Sequence, residues 1–486
     1  MASIVTKPTP EPKGKLSSAW KYLAPFITGI VILLIPVPAG LKFSAWCFFA
    51  LFAAVMVGVI LEPIPAGVIP LVGVGLATIL GLVERKPGAA IAWGLSGFSN
   101  TTVWLIFAAF MFAIGYEKTG LGRRIALGLV KALGSKTLGL GYAIMLSDLI
   151  LAPVTPSNTA RSAGTIFPII RNIPPLYDSY PGPSARKIGS YVMWTALAST
   201  CVTGSMFMTA VATNLLCIEL VKKIAKVEVT WSQWAYGFLP IGVFLMATLP
   251  WLIYKIYPPE IKTSKEVSSW AANELLAMGK ISKKEIGMAL LVTMALIMWI
   301  FGRDIADAST VAILVVGLMV VTRIVTWDDV LGNKPAWNVL MWFATLVALA
   351  DGLARVGFIG WVANVTATYL KGVSPMAAMA GMVALYFFIH YMFANLTAQA
   401  VGTMPMILAA GIAIPGMPVR TFSLLMLYAL GLMGIITPYA CGAAPDYYAS
   451  GYIERKDFWV KGFIFGMIFL GLLLGVGIPW LGMVKP

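Results

Sequence analysis

Long apolar stretches separated by short polar ones run along most of this chain. Apolar runs of spanning length occupy, for example, residues 20–36, 45–61, 286–301 and 458–476. A helix that crosses the hydrocarbon core of a bilayer needs about 20 mostly apolar residues, so the chain has room for roughly ten to twelve such spans. The runs lack the apolar/polar alternation of a membrane barrel. The pattern therefore predicts an all-α integral membrane protein.

Composition and charge support this class. Of 486 residues, 59% are hydrophobic and 11% are charged, and the mean hydropathy is +0.87, whereas soluble domains carry about 25% charged residues. The net charge of +15 comes from basic residues in loops and at helix ends, as at 85–86, 123–124, 186–187 and 222–226. That distribution is typical of the positive-inside bias and does not indicate a nucleic-acid partner. A smaller share of the surplus would attract an anionic substrate.

The N-terminal arm and the cysteines suggest no further chemistry. Residues 1–18 are rich in Pro and Lys and show no signal-peptide cleavage site, which predicts a retained, cytoplasmic arm. The four cysteines lie in or beside apolar segments without metal-ligand spacing. We expect free thiols, no metal site and no cofactor.

A polar stretch near the middle divides the chain. Between residues 255 and 285 the composition shifts to Lys, Glu, Ser and Asn. We interpret it as a cytoplasmic linker, with a helix over 271–278. The predicted organisation is an arm with a first spanning helix (1–42), a first membrane repeat (43–256), the linker (257–285) and a second membrane repeat (286–486).

The two halves share an internal repeat. Residues 157–170 (SNTARSAGTIFPII) align with 395–408 (NLTAQAVGTMPMIL) at an offset of 238, with five identities in fourteen positions. Upstream, 120–126 resembles 357–363 at an offset of 237. Both of these shorter stretches mix small, basic or aromatic residues with apolar ones, which is typical of a helix in the membrane interface. Internal repeats of this kind are typical of secondary transporters.

Each repeat contains a polar tip that interrupts apolar sequence. In the first, Pro153 and Pro156 predict a broken helix, because proline lacks an N–H donor and disfavours helix before it. A helix that restarts after the tip directs free N–H groups and its positive dipole end towards it, which suits a carboxylate. Two tips, one per half, suit a molecule with two or more carboxylates. The candidate binding residues are Ser157, Asn158, Thr159, Asn395 and Thr397.

Two further interruptions lie later in each half, at 209–214 and 437–445. Their candidate residues are Thr209 and Asn214 in the first half and Thr437 and Pro438 in the second. Backbone carbonyls and hydroxyls in such breaks bind a coupling sodium ion or complete a substrate pocket. Kinks needed only for packing are the alternative.

Two single residues carry separate hypotheses. Arg161 directly follows the first tip and either contacts substrate or pairs with Asp148; its aligned partner is the neutral Gln399. His390 is the only histidine and precedes the second tip. It is either a packing residue or a contact for a proton or substrate.

These motifs resemble the divalent anion/sodium symporter family. The resemblance rests on the Thr-Pro-Ser-Asn-Thr-Ala-Arg sequence at 155–161, the related tip around Thr397, and the segments 120–126 and 436–440. It extends from about residue 61 to 459 and is greatest for the bacterial citrate/succinate antiporter branch, which includes 2-oxoglutarate/malate translocators.

The resemblance implies about eleven transmembrane helices and two re-entrant hairpins in two inverted repeats. It also implies a homodimer in the bacterial cytoplasmic membrane that binds substrate at the paired tips and works by an elevator movement. The chain departs from the symporter pattern at the second tip, where Leu396 stands in the Ser-Asn-Thr motif, and at both later breaks. These departures favour exchange of one di- or tricarboxylate for another, with Arg161 supplying the positive charge that sodium supplies elsewhere.

Three functions follow from these features. The leading one is sodium-independent exchange of di- or tricarboxylates such as succinate, malate, fumarate, 2-oxoglutarate, citrate or tartrate. The second is sodium-coupled symport of the same anions. A membrane-embedded enzyme is the third and is disfavoured, because the chain has one histidine and no His-Glu-x-x-His or Gly-x-Ser-x-Gly motif. A channel is also disfavoured, since paired broken helices favour alternating access.

Overall fold

The computed structural model describes residues 16–65, 67–302, 304–369 and 372–483, and these are almost entirely helical. Within these ranges there is no β-strand, and one isolated bridge joins Lys136 to Thr263. The first fifteen residues of the predicted N-terminal arm lie outside the described residues. The predicted all-α class is confirmed.

The first half begins with one helix that has no counterpart among the described helices of the second half, and ten further helices follow it. The first helix is α1 (Leu16–Leu34), with Pro25 inside it. The run comprises α2 (Phe43–Leu61), α3 (Val68–Ile79), α4 (Pro87–Gly94), α5 (Thr101–Thr119), α6 (Leu121–Leu133), α7 (Thr137–Leu151), α8 (Phe167–Ile170), α9 (Gly189–Met206), α10 (Ala212–Ala225) and α11 (Trp231–Ile256).

The linker helix and the second half follow. The linker contains α12 (Lys265–Ala277), which begins six residues earlier than the sequence predicts. The second half comprises α13 (Lys283–Phe301), α14 (Ala308–Val321), α15 (Trp327–Gly332), α16 (Lys334–Arg355), α17 (Phe358–Tyr369), α18 (Pro375–Ile389), α19 (Leu396–Ile412), α20 (Val419–Leu432), α21 (Ala444–Ala449), α22 (Arg455–Gly475) and α23 (Gly477–Met483).

The two halves have the same order of elements. Helices α2 and α13 each have 19 residues and are followed by shorter helices, α3 and α4 in the first half and α14 and α15 in the second. Long helices α5 and α16 come next, then the hairpins, the broken helices and finally α11 and α22. The inverted orientation of one half relative to the other stays a prediction.

Seven described helices are long and apolar enough to cross a membrane, or eight if the bent pair α5 and α6 is one span. Five shorter apolar helices accompany them: Ala19–Leu34, Val68–Ile79, Ala308–Val321, Leu396–Ile412 and Val419–Ile435. The chain is therefore a multi-pass membrane protein. The predicted number of about eleven spans stays a prediction.

A glycine with a left-handed backbone marks the same joint in each half. Gly120 (φ 76°) separates α5 from α6, which bend by 65°, and Gly357 (φ 86°) separates α16 from α17. Other residues pay roughly 1–2 kcal/mol for this conformation. The resemblance between 120–126 and 357–363 therefore corresponds to a shared turn between a long helix and a shorter one.

Helices α9 and α20 form the centre of the molecule. Every residue from Gly189 to Ser205 is buried, as are twelve consecutive residues of α20 from Thr421 to Leu432. Small residues and hydroxyls are frequent in α9, which lets neighbouring helices approach closely. The two helices pack against each other, and each leads into one of the breaks.

The linker is docked on one end of the helix assembly. Arg123 of α6 pairs with Glu274 of α12 at 2.6 Å, and Arg124 pairs with Glu285 at 2.5 Å. At the same end, Lys118 lies 2.5 Å from Asp329 and lowers the pKa of that carboxyl to about 2. We call this the linker end.

Candidate substrate site

The first tip is a broken helix, as its prolines predict. Helix α7 ends at Leu151, a 3-10 turn covers Ala152–Val154, and a π-helix runs from Thr159 to Ile166. The Oγ of Ser157 accepts from the backbone N–H of Ala160 at 3.2 Å. Ser157 therefore serves as a local cap, the role that Ser and Thr often have beside a helix start.

The second tip has a related geometry. Helix α18 ends at Ile389, a 3-10 turn covers His390–Met392, and α19 begins at Leu396. Asn395 caps α19, since its Oδ1 accepts from the N–H of Ala398 at 2.8 Å. Because that oxygen is engaged, the side-chain group of Asn395 that is left for a substrate is its NH2, which donates hydrogen bonds.

Free backbone donors occupy matching positions at the two tips. Within the described residues, the N–H groups of Asn158 and Thr159 have no hydrogen-bond acceptor, and neither do those of Leu396 and Thr397. These pairs are equivalent at the repeat offset of 238. A helix start leaves its first N–H groups without intrahelical partners, and such groups bind anions. Each tip thus provides one pair of donors for a carboxylate.

The first break bridges both tips. Between α9 and α10, the N–H of Ala212 donates to the carbonyl of Pro156 in the first tip at 2.8 Å. One residue later, the hydroxyls of Thr213 and Thr397 lie 2.8 Å apart, which joins the same break to the second tip. The two hairpin tips are therefore held at one place in the fold by residues 212 and 213.

The second break reaches the same two hairpins. A Cβ added to Gly442 would lie 2.1 Å from the Oγ1 of Thr159, so the backbone of this break touches the first tip. The carbonyl of Ala440 contacts the Nε2 of His390, beside the second tip, at 2.8 Å. A further cross-contact joins Ser162 to Tyr447 of α21 through hydroxyls 2.7 Å apart.

Arg161 is fully buried and ties the first tip to the first break. Its Nε donates to Asp148 at 3.0 Å, and its Nη1 donates to the carbonyls of Thr155 and Ala210, each at 2.8 Å. Its Nη2 donates to the Oγ1 of Thr200 at 3.1 Å. The structure thus contains the pair with Asp148 that the sequence offered as one alternative. The predicted substrate contact stays a prediction.

His390 has a comparable place in the second half. Its ring is buried, and its Nε2 contacts the carbonyl of Ala440 in the second break. Gln399, the aligned partner of Arg161, is also buried and donates to the carbonyl of Tyr386 at 2.5 Å. In both halves a side-chain nitrogen from the hairpin therefore meets a carbonyl of the unwound break.

The remaining predicted residues have supporting positions in the breaks. Buried Thr209 donates to the carbonyl of Pro153 and accepts from Trp231. Buried Asn214 donates to the carbonyl of Gly204 at 2.7 Å, and its Oδ1 has no partner among the described residues.

Thr437 and Pro438 have only local contacts among the described hydrogen bonds. Thr437 is buried and accepts from the N–H of Tyr439 at 3.4 Å, while Pro438 is half-buried beside it. Neither forms a hydrogen bond to a tip within the described ranges. The structure therefore brings Asn158, Thr159 and Thr397 into contact with the breaks, places Ser157 and Asn395 in the same two tips, and shows, among the described residues, no such contact for Thr437 or Pro438.

A cavity opens beside the first tip. It has a volume of about 460 Å³ and lies between α5, the start of α16 and the first hairpin, with Ser157 and Thr159 in its wall. A neighbouring cavity of about 420 Å³ shares Tyr116, Glu117, Gly164 and Thr165 with it and extends to Trp270 of the linker helix. Together they lead from the tip towards the linker end.

A third cavity lies on the other side of the first break. It has a volume of about 550 Å³ and is lined by Met208, Trp231 and Trp299 among others. The ring of Trp231 stacks on Phe207 at 5.8 Å and lies 6.4 Å from that of Trp299. These rings connect the wall of this cavity to Phe207 at the start of the first break.

Sequence reasoning missed three residues at the site. Thr213 and Gly442 lie inside the predicted breaks but were not singled out, and Glu117 lies on a helix with no visible motif. For Thr213 the signal was a hydroxyl within an interrupted apolar stretch. The close approach of Gly442 to Thr159 depends on tertiary packing, which the sequence does not display.

Paired hairpin tips, two bridging breaks and a membrane-spanning helical frame define the class of secondary transporters. The family described as "Sodium:sulfate symporter transmembrane region" matches residues 16–485. The chain therefore belongs to the divalent anion/sodium symporter family, and it is a transporter rather than an enzyme.

Relatives and a solved structure agree with this assignment. The chain is 48% identical over 478 residues to the L-tartrate/succinate antiporter of Shigella sonnei (strain Ss046) and equally to that of Escherichia coli (strain K12), covering 96% of this chain and 98% of each relative. The crystal structure of the YdaH transporter of Alcanivorax borkumensis is similar over 98% of this chain and 99% of that chain, with a TM-score of 0.54 and 15% identity. The last likeness concerns the fold alone.

Proposed function

We propose that this protein exchanges dicarboxylates across the bacterial cytoplasmic membrane, with L-tartrate and succinate as its substrate pair. The matched pairs of free N–H groups at Asn158 and Thr159 and at Leu396 and Thr397 carry the proposal. Two carboxylates on one short molecule fit two donor pairs held together by a common break. The relatives' substrates, tartrate and succinate, both have this chemistry.

Sodium independence is supported by the groups that fill the breaks. In sodium-coupled transporters, carbonyls of unwound backbone coordinate the ion. Here the Nη1 of Arg161 donates to two such carbonyls, those of Thr155 and Ala210, and His390 contacts that of Ala440. A guanidinium fixed between these carbonyls supplies positive charge where a coupling cation would sit. Sodium-driven symport is the second candidate, because the family's description includes it.

The movement that we propose is an elevator. The hairpins and breaks form one connected body through Thr213, Thr397, Ser162 and Tyr447. This body would slide along α5 and α16 and expose the tips alternately to the two sides. We further propose that the transporter is a homodimer and that citrate and 2-oxoglutarate are poorer substrates than succinate and tartrate.

Uptake of radiolabelled succinate by purified protein in liposomes tests the proposal. In sodium-free buffer, we expect uptake into vesicles preloaded with succinate or L-tartrate and none into empty vesicles. Replacing sodium with choline should leave the rate unchanged. Uptake into empty vesicles that requires a sodium gradient would instead establish the symport mechanism and exclude exchange.

A further inference from the structure

One charged side chain beside the first tip has the same sign as the proposed substrate. Glu117, in the last turn of α5, lines both the cavity that contains Ser157 and Thr159 and the neighbouring cavity that leads to the linker end. Its side chain is exposed, and within the described residues it forms no hydrogen bond or ion pair. An anion that moves through these two cavities between the tip and the linker end passes this carboxylate.

The basic groups around these cavities do not neutralise Glu117. Arg123 is paired with Glu274, and Lys118 is paired with Asp329. The guanidinium of Arg161 is fully buried and is directed to Asp148 and backbone carbonyls. Glu117 therefore faces these cavities as a negative charge that no ion pair compensates within the part of the chain that the structure describes.

The carboxylate of Glu117 repels anions that enter these cavities. Two unit charges repel each other in proportion to their product, so a trianion meets half as much repulsion again as a dianion at the same distance. A fixed negative charge therefore penalises each additional negative charge on the substrate. It adds discrimination by charge to the hydrogen bonds that the polar groups of the cavity wall, such as Ser157 and Thr159, can form with any carboxylate.

We propose that Glu117 is a specificity-determining residue that admits dicarboxylate dianions and disfavours tricarboxylate trianions. The inference rests on the proposed function, because it concerns which carboxylates that same site accepts. It predicts that citrate competes poorly with succinate because of its third charge rather than its size.

Competition for binding of radiolabelled succinate to the purified protein at slightly alkaline pH tests this. The competitors are citrate and its monomethyl ester, which has almost the same skeleton but two charges. For Glu117→Gln we expect citrate to compete about tenfold better relative to succinate, with the ester little changed. Asp328→Asn is the matched control, since Asp328 is an exposed carboxylate at the same end outside the cavity lining; its ratios should equal those of the wild type.

The wild type provides a test that needs no variant. It should bind the monomethyl ester more tightly than citrate, and equal binding of the two would overturn the inference. So would an unchanged citrate ratio in a folded Glu117→Gln protein, or an equal change in Asp328→Asn. Failure of the proposed function is distinguishable: a protein that does not carry dicarboxylates would bind no succinate at all, whereas failure of exchange alone would appear in the liposome uptake and not in these competition ratios.

Discussion

At the residue scale, the contact between Gly442 and Thr159 decides how closely the second break approaches the first tip. A Cβ at position 442 would stand 2.1 Å from the hydroxyl of Thr159 and 3.4 Å from the Oδ1 of Asn158. The first distance is far below van der Waals contact, so one of the two segments has to move. Both displaced residues belong to the predicted Ser-Asn-Thr site.

Gly442→Ala should therefore reduce succinate exchange, by about tenfold or more, because displacement of about 1 Å at a binding site costs this much or more. The measurement is counterflow in preloaded liposomes, with protein amount and monodispersity held equal. Gly471→Ala in α22 is the control, since a Cβ there meets no atom within 4 Å. Normal exchange by Gly442→Ala would show that the tip tolerates displacement and that Thr159 is not a binding residue.

The sequence predicted the identity of the tip residues better than their contacts. Hydroxyl and amide side chains at the tips were visible because they interrupt apolar sequence twice, in equivalent places. The capping role of Asn395 and the contact of Thr213 with Thr397 were not visible, because both depend on the direction in which a side chain points. The environment of Arg161 was predicted only as an alternative, since sequence does not say which of several nearby groups a buried cation meets.

At the scale of elements, the buried pair of Arg161 and Asp148 joins three pieces of the first half. Asp148 belongs to α7, Arg161 to the π-helix after the tip, and Thr200 and Thr203, which also contact the pair, to α9. The Oδ1 of Asp148 has no partner among the described residues. Both charges are out of water, so each depends on the other for compensation.

Asp148→Asn should destabilise the protein by about 3–5 kcal/mol, because it leaves a buried guanidinium without its counter-charge. The double variant Asp148→Asn with Arg161→Gln should be more stable than the single one, since it removes both charges. Thermal unfolding in detergent measures both. A double variant that is less stable than Asp148→Asn would mean that the arginine stabilises the hairpin through its carbonyl contacts rather than through the ion pair.

Elements were predicted better than residues. The broken helix at Pro153 and Pro156, the second tip and both later breaks are present, because proline and clustered polar residues act locally. The π-helix of Thr159–Ile166 was not predicted, and the linker helix begins at Lys265 rather than at residue 271. Neither has a local signal. The π-helix contains Arg161 with its contacts to α7, α9 and the first break, and the linker helix packs on α6.

At the scale of the whole molecule, contacts between the halves are reciprocal. The first break meets the second tip through Thr213 and Thr397, and the second break meets the first tip through Gly442 and Thr159. A two-fold relation between repeats produces reciprocal contacts of this kind, in which each break meets the tip of the other half. These contacts link each hairpin to the break of the other half, as the proposed elevator requires.

A cross-link between the tips and breaks should therefore not stop transport. In a variant with the four native cysteines replaced, we expect Thr213→Cys with Thr397→Cys to exchange succinate at the same rate oxidised and reduced. The residues are placed for a disulfide because their hydroxyls lie 2.8 Å apart. Comparing two states of one protein cancels any loss caused by the substitutions themselves.

The matched control cross-links α10, which belongs to the proposed moving body, to α16, along which that body would slide. Lys223 of α10 lies 3.9 Å from Asp351 of α16. With cysteines at these two positions, a short bifunctional thiol reagent should abolish exchange, because α10 has to slide along α16. Inhibition by the Thr213–Thr397 link instead would show that the tips separate in each cycle and would exclude a rigid elevator.

If the buried guanidinium of Arg161 takes the place of a coupling cation, as we propose, it has a thermodynamic consequence for the cell. A dissociable cation enters with the substrate on one side, leaves on the other, and contributes the energy of its own gradient. A cation that is part of the polypeptide returns with every cycle and contributes none. Net flux through such a protein is set by the opposing concentration ratios of the two carboxylates alone, so import of one continues only while metabolism supplies the other for export.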